Sequence, residues 1–173
     1  MKNKSNIIEL SIFALISAVM YLLKLMTAFL PNVHLLTVIM IALTDTYRKK
    51  ALYPIYGFIM IDGLLSGFAV WWIPYLYIWT IVWVAVMVVP KHINKRLKYI
   101  IYTCICTFHG LCFGILYAPS QALFFGMNFN ASIAWIVAGL PYDIIHGVSN
   151  LIGSFLIPVI ISILNKCNKA FLR

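Results

Sequence analysis

The stretch Ala131–Asn150 reads ASIAWIVAGLPYDIIHGVSN, and whether the chain crosses a membrane once or twice around it decides the topology of everything else. The segment Ala131–Leu140 is apolar but falls short of the roughly 20 residues that traverse a hydrocarbon core of about 30 Å. A span there would also place the basic carboxyl terminus outside. The reading adopted is a last span from about residue 141 to 165, with Pro141 in its first turn and Asp143 at the positive end of its dipole. Residues 119–140 are then an outer loop or lid, partly embedded, from which Gln121 and Trp135 reach a pocket.

Composition sets the frame for this stretch. Of 173 residues, 64% are hydrophobic and 10% charged, against about 25% charged in an ordinary soluble domain. The chain reads as a single all-α integral membrane domain. Its first apolar stretch runs to about Ala28 without a small-residue cleavage site, so it is taken as a permanent span rather than a signal peptide. The predicted spans are residues 7–28, 33–47, 51–70, 73–90, 97–118 and 141–165, a bundle of six transmembrane helices.

Twelve of the thirteen Lys and Arg residues fall in four clusters: Lys2/Lys4, Arg48/Lys49/Lys50, Lys91/Lys95/Arg96/Lys98 and Lys166/Lys169/Arg173. Six spans put all four on one face, which makes both termini cytoplasmic and leaves only Lys24 near the other face. The net charge of +9 is therefore an orientation signal that also suits anionic inner-leaflet lipids, and it argues no nucleic-acid partner. Cys104, Cys106, Cys112 and Cys167 form no secreted disulfide framework and are taken as small packing residues.

Ionisable groups within hydrocarbon cost a few kcal/mol each, so each asks for a partner or a task. Glu9 and Asp45 are assigned to the basic interface. Asp62 on the third span, His109 on the fifth, and Asp143 and His146 on the last remain. Residues three, four and seven apart share a helix face, which groups Asp143, His146 and Asn150 in one polar stripe. Tyr117 ends the fifth span on the outer side. Trp72, Tyr75 and Trp79 also share a face and are predicted to line an aromatic pocket beside the stripe, whereas Trp71, Tyr77 and Trp83 read as an interfacial belt. The two readings of the polar set are a hydrogen-bonded packing network and an outward-facing small-molecule site with aromatic walls.

In the first span Ala14 and Ala18 form an AxxxA pattern with Ser11 on the same face, a smooth groove for another helix. Gly63 and Gly67 make a similar pattern assigned to internal packing. Six spans, ALISA at Ala14–Ala18, YRKKALYPIYGF at Tyr47–Phe58, GFAVWWIPYLYIWTIVW at Gly67–Trp83 and GLPYDIIHGVSN at Gly139–Asn150 together resemble the substrate-binding S components of energy-coupling factor (ECF) transporters. The motifs of the riboflavin, thiamine and biotin members are not among them.

The resemblance implies a bacterial cell-membrane protein that captures a vitamin or related micronutrient from outside. It also implies a membrane coupling subunit met through Ala14 and Ala18, with two cytoplasmic ATPases. No catalytic residue, cofactor or metal is implied, and no phosphate-binding GxxxxGK[ST] loop is present. Two other readings stand beside it. One is a self-sufficient secondary carrier; the other is an intramembrane enzyme using Asp143, His146 and His109 as metal ligands or acid and base groups.

Overall fold

A computed structural model describes residues 2–171, with side chains from residue 7 to residue 170. The side chains of Lys2 and Lys4, and all of Arg173, lie outside the described residues. The described chain is helical, with no strand in it. α1 spans Lys2–Met26, α2 Leu36–Tyr47, α3 Leu52–Ser66, α4 Tyr75–Val88, α5 Lys95–Leu111, α6 Phe113–Phe125, α7 Phe129–Gly153 and α8 Ile157–Phe171. Short 3-10 turns at Arg48–Ala51 and Ser154–Leu156 join α2 to α3 and α7 to α8.

Their order follows from local chemistry. Asn94 starts α5 by accepting the Arg96 N–H at 2.8 Å, and Asn128 starts α7 by accepting the Ala131 N–H at 2.9 Å. Gly126 closes α6 in the left-handed region, φ 61°, where glycine carries no Cβ penalty. Arg48 holds φ 53° without being glycine. Its side chain donates to the Met87 carbonyl at 2.7 Å, and its own carbonyl accepts the Trp83 indole N–H at 3.1 Å. These two bonds tie the α2–α3 turn to α4.

α2 is mostly apolar over residues 36–43 and sits inside the bundle, with Val38, Met40, Ile41, Ala42 and Leu43 wholly buried. Thr44 and Thr46 return bonds to the Met40 and Ala42 carbonyls at 2.7 and 2.9 Å, whereas the Tyr47 hydroxyl at the end of the helix is buried without a partner. α1 lies on α3, with the Ser17 hydroxyl reaching the Pro54 carbonyl at 3.0 Å. The basic clusters gather at one end of the bundle: Lys50 pairs with Glu9, and Lys98 pairs with Asp45 beside Lys166.

Helix length departs from the six predicted spans. Ile7–Met26 and the run Phe129–Ala170 are long and apolar enough to cross a membrane, and α5 with α6, bent by 41°, makes a third candidate. α2, α3 and α4 have 12, 15 and 14 residues, shorter than the predicted 33–47, 51–70 and 73–90. The third and fourth spans lose their facing ends to an irregular connection, residues 67–74, opened by Gly67 at φ 89°.

Residues 119–140 are helical over most of their length. They are the second half of α6, a three-residue turn and the first half of α7, a helical hairpin whose tip exposes Leu123, Phe125 and Phe129. Pro141 lies mid-helix in α7 rather than in a first turn. Pro141 is exposed there, so its ring meets no packed neighbour, and a proline inside a membrane helix is tolerated where the freed backbone group finds another partner.

Candidate functional site

Two close approaches bring the polar stripe of α7 against α5 and α6. A Cβ on Gly110 would stand 2.8 Å from the Asn150 amide nitrogen and 2.9 Å from the Gly147 nitrogen. A Cβ on Gly114 would stand 2.5 Å from an Asp143 carboxylate oxygen. Glycine at both positions lets the helices touch, and Asp143, His146 and Asn150 are all buried between them.

The three stripe residues then do different things. Asp143 accepts the Gly114 N–H with both oxygens at 3.1 Å. Gly114 is the second residue of α6, so the carboxylate caps the helix that starts after the bend at Cys112. The expected pairing of this charge with a positive helix end therefore occurs on α6, not on α7. Asn150 donates to the Cys106 carbonyl at 2.9 Å and reaches Thr37 at 3.4 Å; the Thr37 hydroxyl in turn lies 3.5 Å from His109 Nδ1. His146 makes no hydrogen bond through either ring nitrogen, although it is 1% exposed.

Around His146 the packing is ring against ring. His34, just before α2, lies 4.5 Å away between centroids, Phe113 5.0 Å and His109 6.3 Å. Trp79 of α4 closes the set, 5.4 Å from His109, 6.0 Å from Phe113 and 6.4 Å from His34. Within this shell Trp79 Nε1, His34 Nδ1, Asn150 Oδ1 and both nitrogens of His146 are buried without a hydrogen-bond partner. His109 Nε2 is likewise buried without a partner. A buried polar group left unpaired costs on the order of 1–3 kcal/mol, so the concentration of such atoms at one spot is energetically unfavourable as it stands.

An aromatic chain leads outward from this cluster. Trp79 meets Tyr75 at 5.6 Å and Tyr75 meets Trp71 at 5.6 Å, while Lys24 Nζ stands 5.0 Å over Trp71 and 5.4 Å over Tyr75. A second chain runs from Phe113 to Tyr117 at 6.0 Å and on to Trp135, stacked at 6.1 Å. The Tyr117 hydroxyl donates to the Trp71 carbonyl at 2.8 Å and joins the two chains.

Of the residues expected to form a pocket, Trp79, His109, His146 and Asn150 meet at the cluster, with Tyr75, Tyr117 and Trp135 leading to it. Four others are placed differently, Asp143 as the cap of α6 already described. Asp62 is wholly buried, taken by Lys24 with both oxygens at 2.6 and 2.7 Å and by Ser66 at 3.2 Å. Trp72 donates to the Ile59 carbonyl at 2.7 Å and packs on Phe68 over Gly63, which fastens the α3–α4 connection away from the histidines. Gln121 is half-buried on α6, one turn beyond Tyr117.

His34 and Phe113 were not singled out in the sequence, and Lys24 only as the one basic residue near the other face. Phe113 had a signal, since it stands four residues from both His109 and Tyr117 on one helical track. His34 sits in irregular chain between α1 and α2, where no periodicity points to it. Trp71, read as belt, belongs instead to the aromatic chain under Lys24.

Ala14 is exposed and Ala18 half-buried, with Ser11 exposed on the same side, whereas Phe13, Ser17 and Met20 face the bundle. The AxxxA face of α1 is thus open. Among the described residues no group of three or more His, Cys, Asp or Glu side chains is arranged to hold a metal ion. No protein-family model, curated protein or solved structure matches the chain.

Proposed function

We propose that this chain is the substrate-capturing S component of an ECF-type importer in a bacterial cell membrane. In this reading the bundle crosses the bilayer six times with both termini in the cytoplasm. It takes a vitamin-like micronutrient from outside and delivers it inward with a membrane coupling subunit and two ATPases. The observation that carries the reading is the cluster around His146, where five polar atoms of His34, Trp79, His146 and Asn150 are buried in an aromatic shell without partners. Aromatic walls with a few converging polar groups are the usual make-up of a small-molecule site. The open Ala14–Ala18 face supports a docking helix from the coupling subunit.

Within this proposal Asp143 serves as a helix cap rather than as a ligand contact, and Asp62 is the counter-ion of Lys24. Both are already spent on protein groups. The same commitment weakens an acid–base role for Asp143.

The test is purification of the tagged chain in mild detergent from its native cells. Recovery with a membrane subunit and two ATPases is the expected result. Reproducible recovery alone, with uptake that needs no ATPase, would replace the reading with a self-sufficient carrier.

A further inference from the structure

The chain has four carboxylate side chains, and each has a partner. Glu9 holds Lys50, Asp62 holds Lys24, Asp143 caps α6, and Asp45 takes both Lys98 at 2.5 Å and the Tyr102 hydroxyl at 2.7 Å. The remaining lysines therefore have no side-chain carboxylate left to meet them. Three of these, Lys95, Lys166 and Lys169, line one cavity of about 450 Å³ together with the Lys98–Asp45 pair.

The cavity lies at the basic end of the bundle, between the end of α2, the start of α5 and the length of α8. Its inner side is formed by Pro158 and the buried Ile161, and its polar edge carries Ser162 and Asn165 beside the lysines. α5 also opens with Lys95, Arg96 and Lys98 and has no acidic residue in its first turn, so like charges stand at the positive end of its dipole. An anion in the cavity relieves that repulsion and answers the lysines at once.

The geometry points to a binding site for the phosphate-bearing headgroup of an anionic phospholipid, seated among Lys95, Lys166 and Lys169, with its glycerol against Pro158 and Ile161. A lipid rather than a soluble phosphate fits because the floor is apolar and because the helices around it present apolar side chains outward, Val159 and Ile163 among them. Basic pockets between membrane helices are a recurrent form of headgroup recognition. The site is separate from the histidine cluster and stands whether or not that cluster binds a nutrient.

The experiment is native mass spectrometry of the purified full chain, incubated with phosphatidylglycerol or with phosphatidylcholine of the same acyl composition. Phosphatidylglycerol is expected to be retained in clear preference. The combined change Lys95→Gln, Lys166→Gln and Lys169→Gln should weaken retention by about fivefold per lysine, on the order of a hundredfold in all. Lys49→Gln with Lys91→Gln, which removes charge elsewhere at the same end, should leave it unchanged. Equal retention by the triple variant and the unaltered chain, or equal retention of the two lipids, overturns the site. Displacement of the lipid by millimolar inorganic phosphate overturns the lipid as occupant. If the triple variant does not fold, thermal unfolding of the unaltered chain decides: a short-chain phosphatidylglycerol should raise Tm and the matching phosphatidylcholine should not, and no difference counts against the site.

Discussion

Asp143 on α7 and Gly114 on α6 form a matched pair: the carboxylate takes the glycine N–H with both oxygens, and only glycine leaves it room. Each residue makes sense of the other. The helix that begins at the 41° bend would otherwise bury an unsatisfied donor.

Asp143→Ala is expected to destabilise the fold by about 1–3 kcal/mol, the cost of an unsatisfied buried donor, with Asp143→Asn recovering part of it because its oxygen still accepts. Gly114→Ala should be damaging for the opposite reason, a Cβ pressed onto the carboxylate. A double-mutant cycle read by thermal unfolding should show strong coupling between the two, and additive effects would mean the cap does not act.

His146 gives the contrary expectation. Its ring nitrogens bond to no protein group, so His146→Phe removes no hydrogen bond and keeps the ring packing against Phe113 and His34. Stability without ligand should be unchanged or higher by up to about 1–3 kcal/mol, while ligand binding is lost. A fall in Tm with binding intact would make His146 a packing residue.

Trp79→Phe isolates the indole N–H from the ring. The shell around His109 and Phe113 is largely kept, and the unpartnered donor goes. Ligand affinity is expected to drop by roughly five- to tenfold, the net worth of about one hydrogen bond, with little change in thermal unfolding. Titration of the purified chain with its ligand reads the first quantity and a melting curve the second.

Lys24 and Asp62 should behave as a pair in which only the carboxylate is wholly buried. Lys24→Met leaves a wholly buried carboxylate uncompensated and is expected to cost about 3–5 kcal/mol. Lys24→Met combined with Asp62→Leu should be milder than Lys24→Met alone, because no lone charge remains. Thermal melts of the two variants compare these directly; a double variant worse than the single one would show that the pair contributes more than mutual compensation.

Ala14→Trp and Ala18→Trp fall on the open face of α1, away from Phe13, Ser17 and Met20, so folding and ligand binding are expected to survive while association with a coupling subunit is lost. Pull-down and binding assays on the same preparation separate the two. Loss of both together would place these alanines in the core of the fold.

Helix class and the shared face of Asp143, His146 and Asn150 were legible in the sequence, because both rest on periodicity alone. The role of Asp143 was half legible. A carboxylate behind a proline does favour a positive helix end, but the helix it serves belongs to another part of the chain, 29 residues away. The helical hairpin over residues 119–140 was hidden because Pro141 reads as a start signal, whereas it stands exposed inside α7. Lys24 with Asp62 and His34 with His146 are meetings of distant chain segments, and single-sequence spacing carries no term for them.

The pairing of α1 with α3 has a mechanical meaning. Ser17–Pro54 and Lys24–Asp62 tie α1 to the parallel α3 at the middle and top, and Glu9–Lys50 ties it at the bottom to the turn from which α3 starts. Two rods riveted at three levels resist sliding and bend as one beam. A load placed on the bare Ser11–Ala14–Ala18 flank would thus have no slack to take up, and its far end bears on Trp71 and Tyr75 through a single ammonium group.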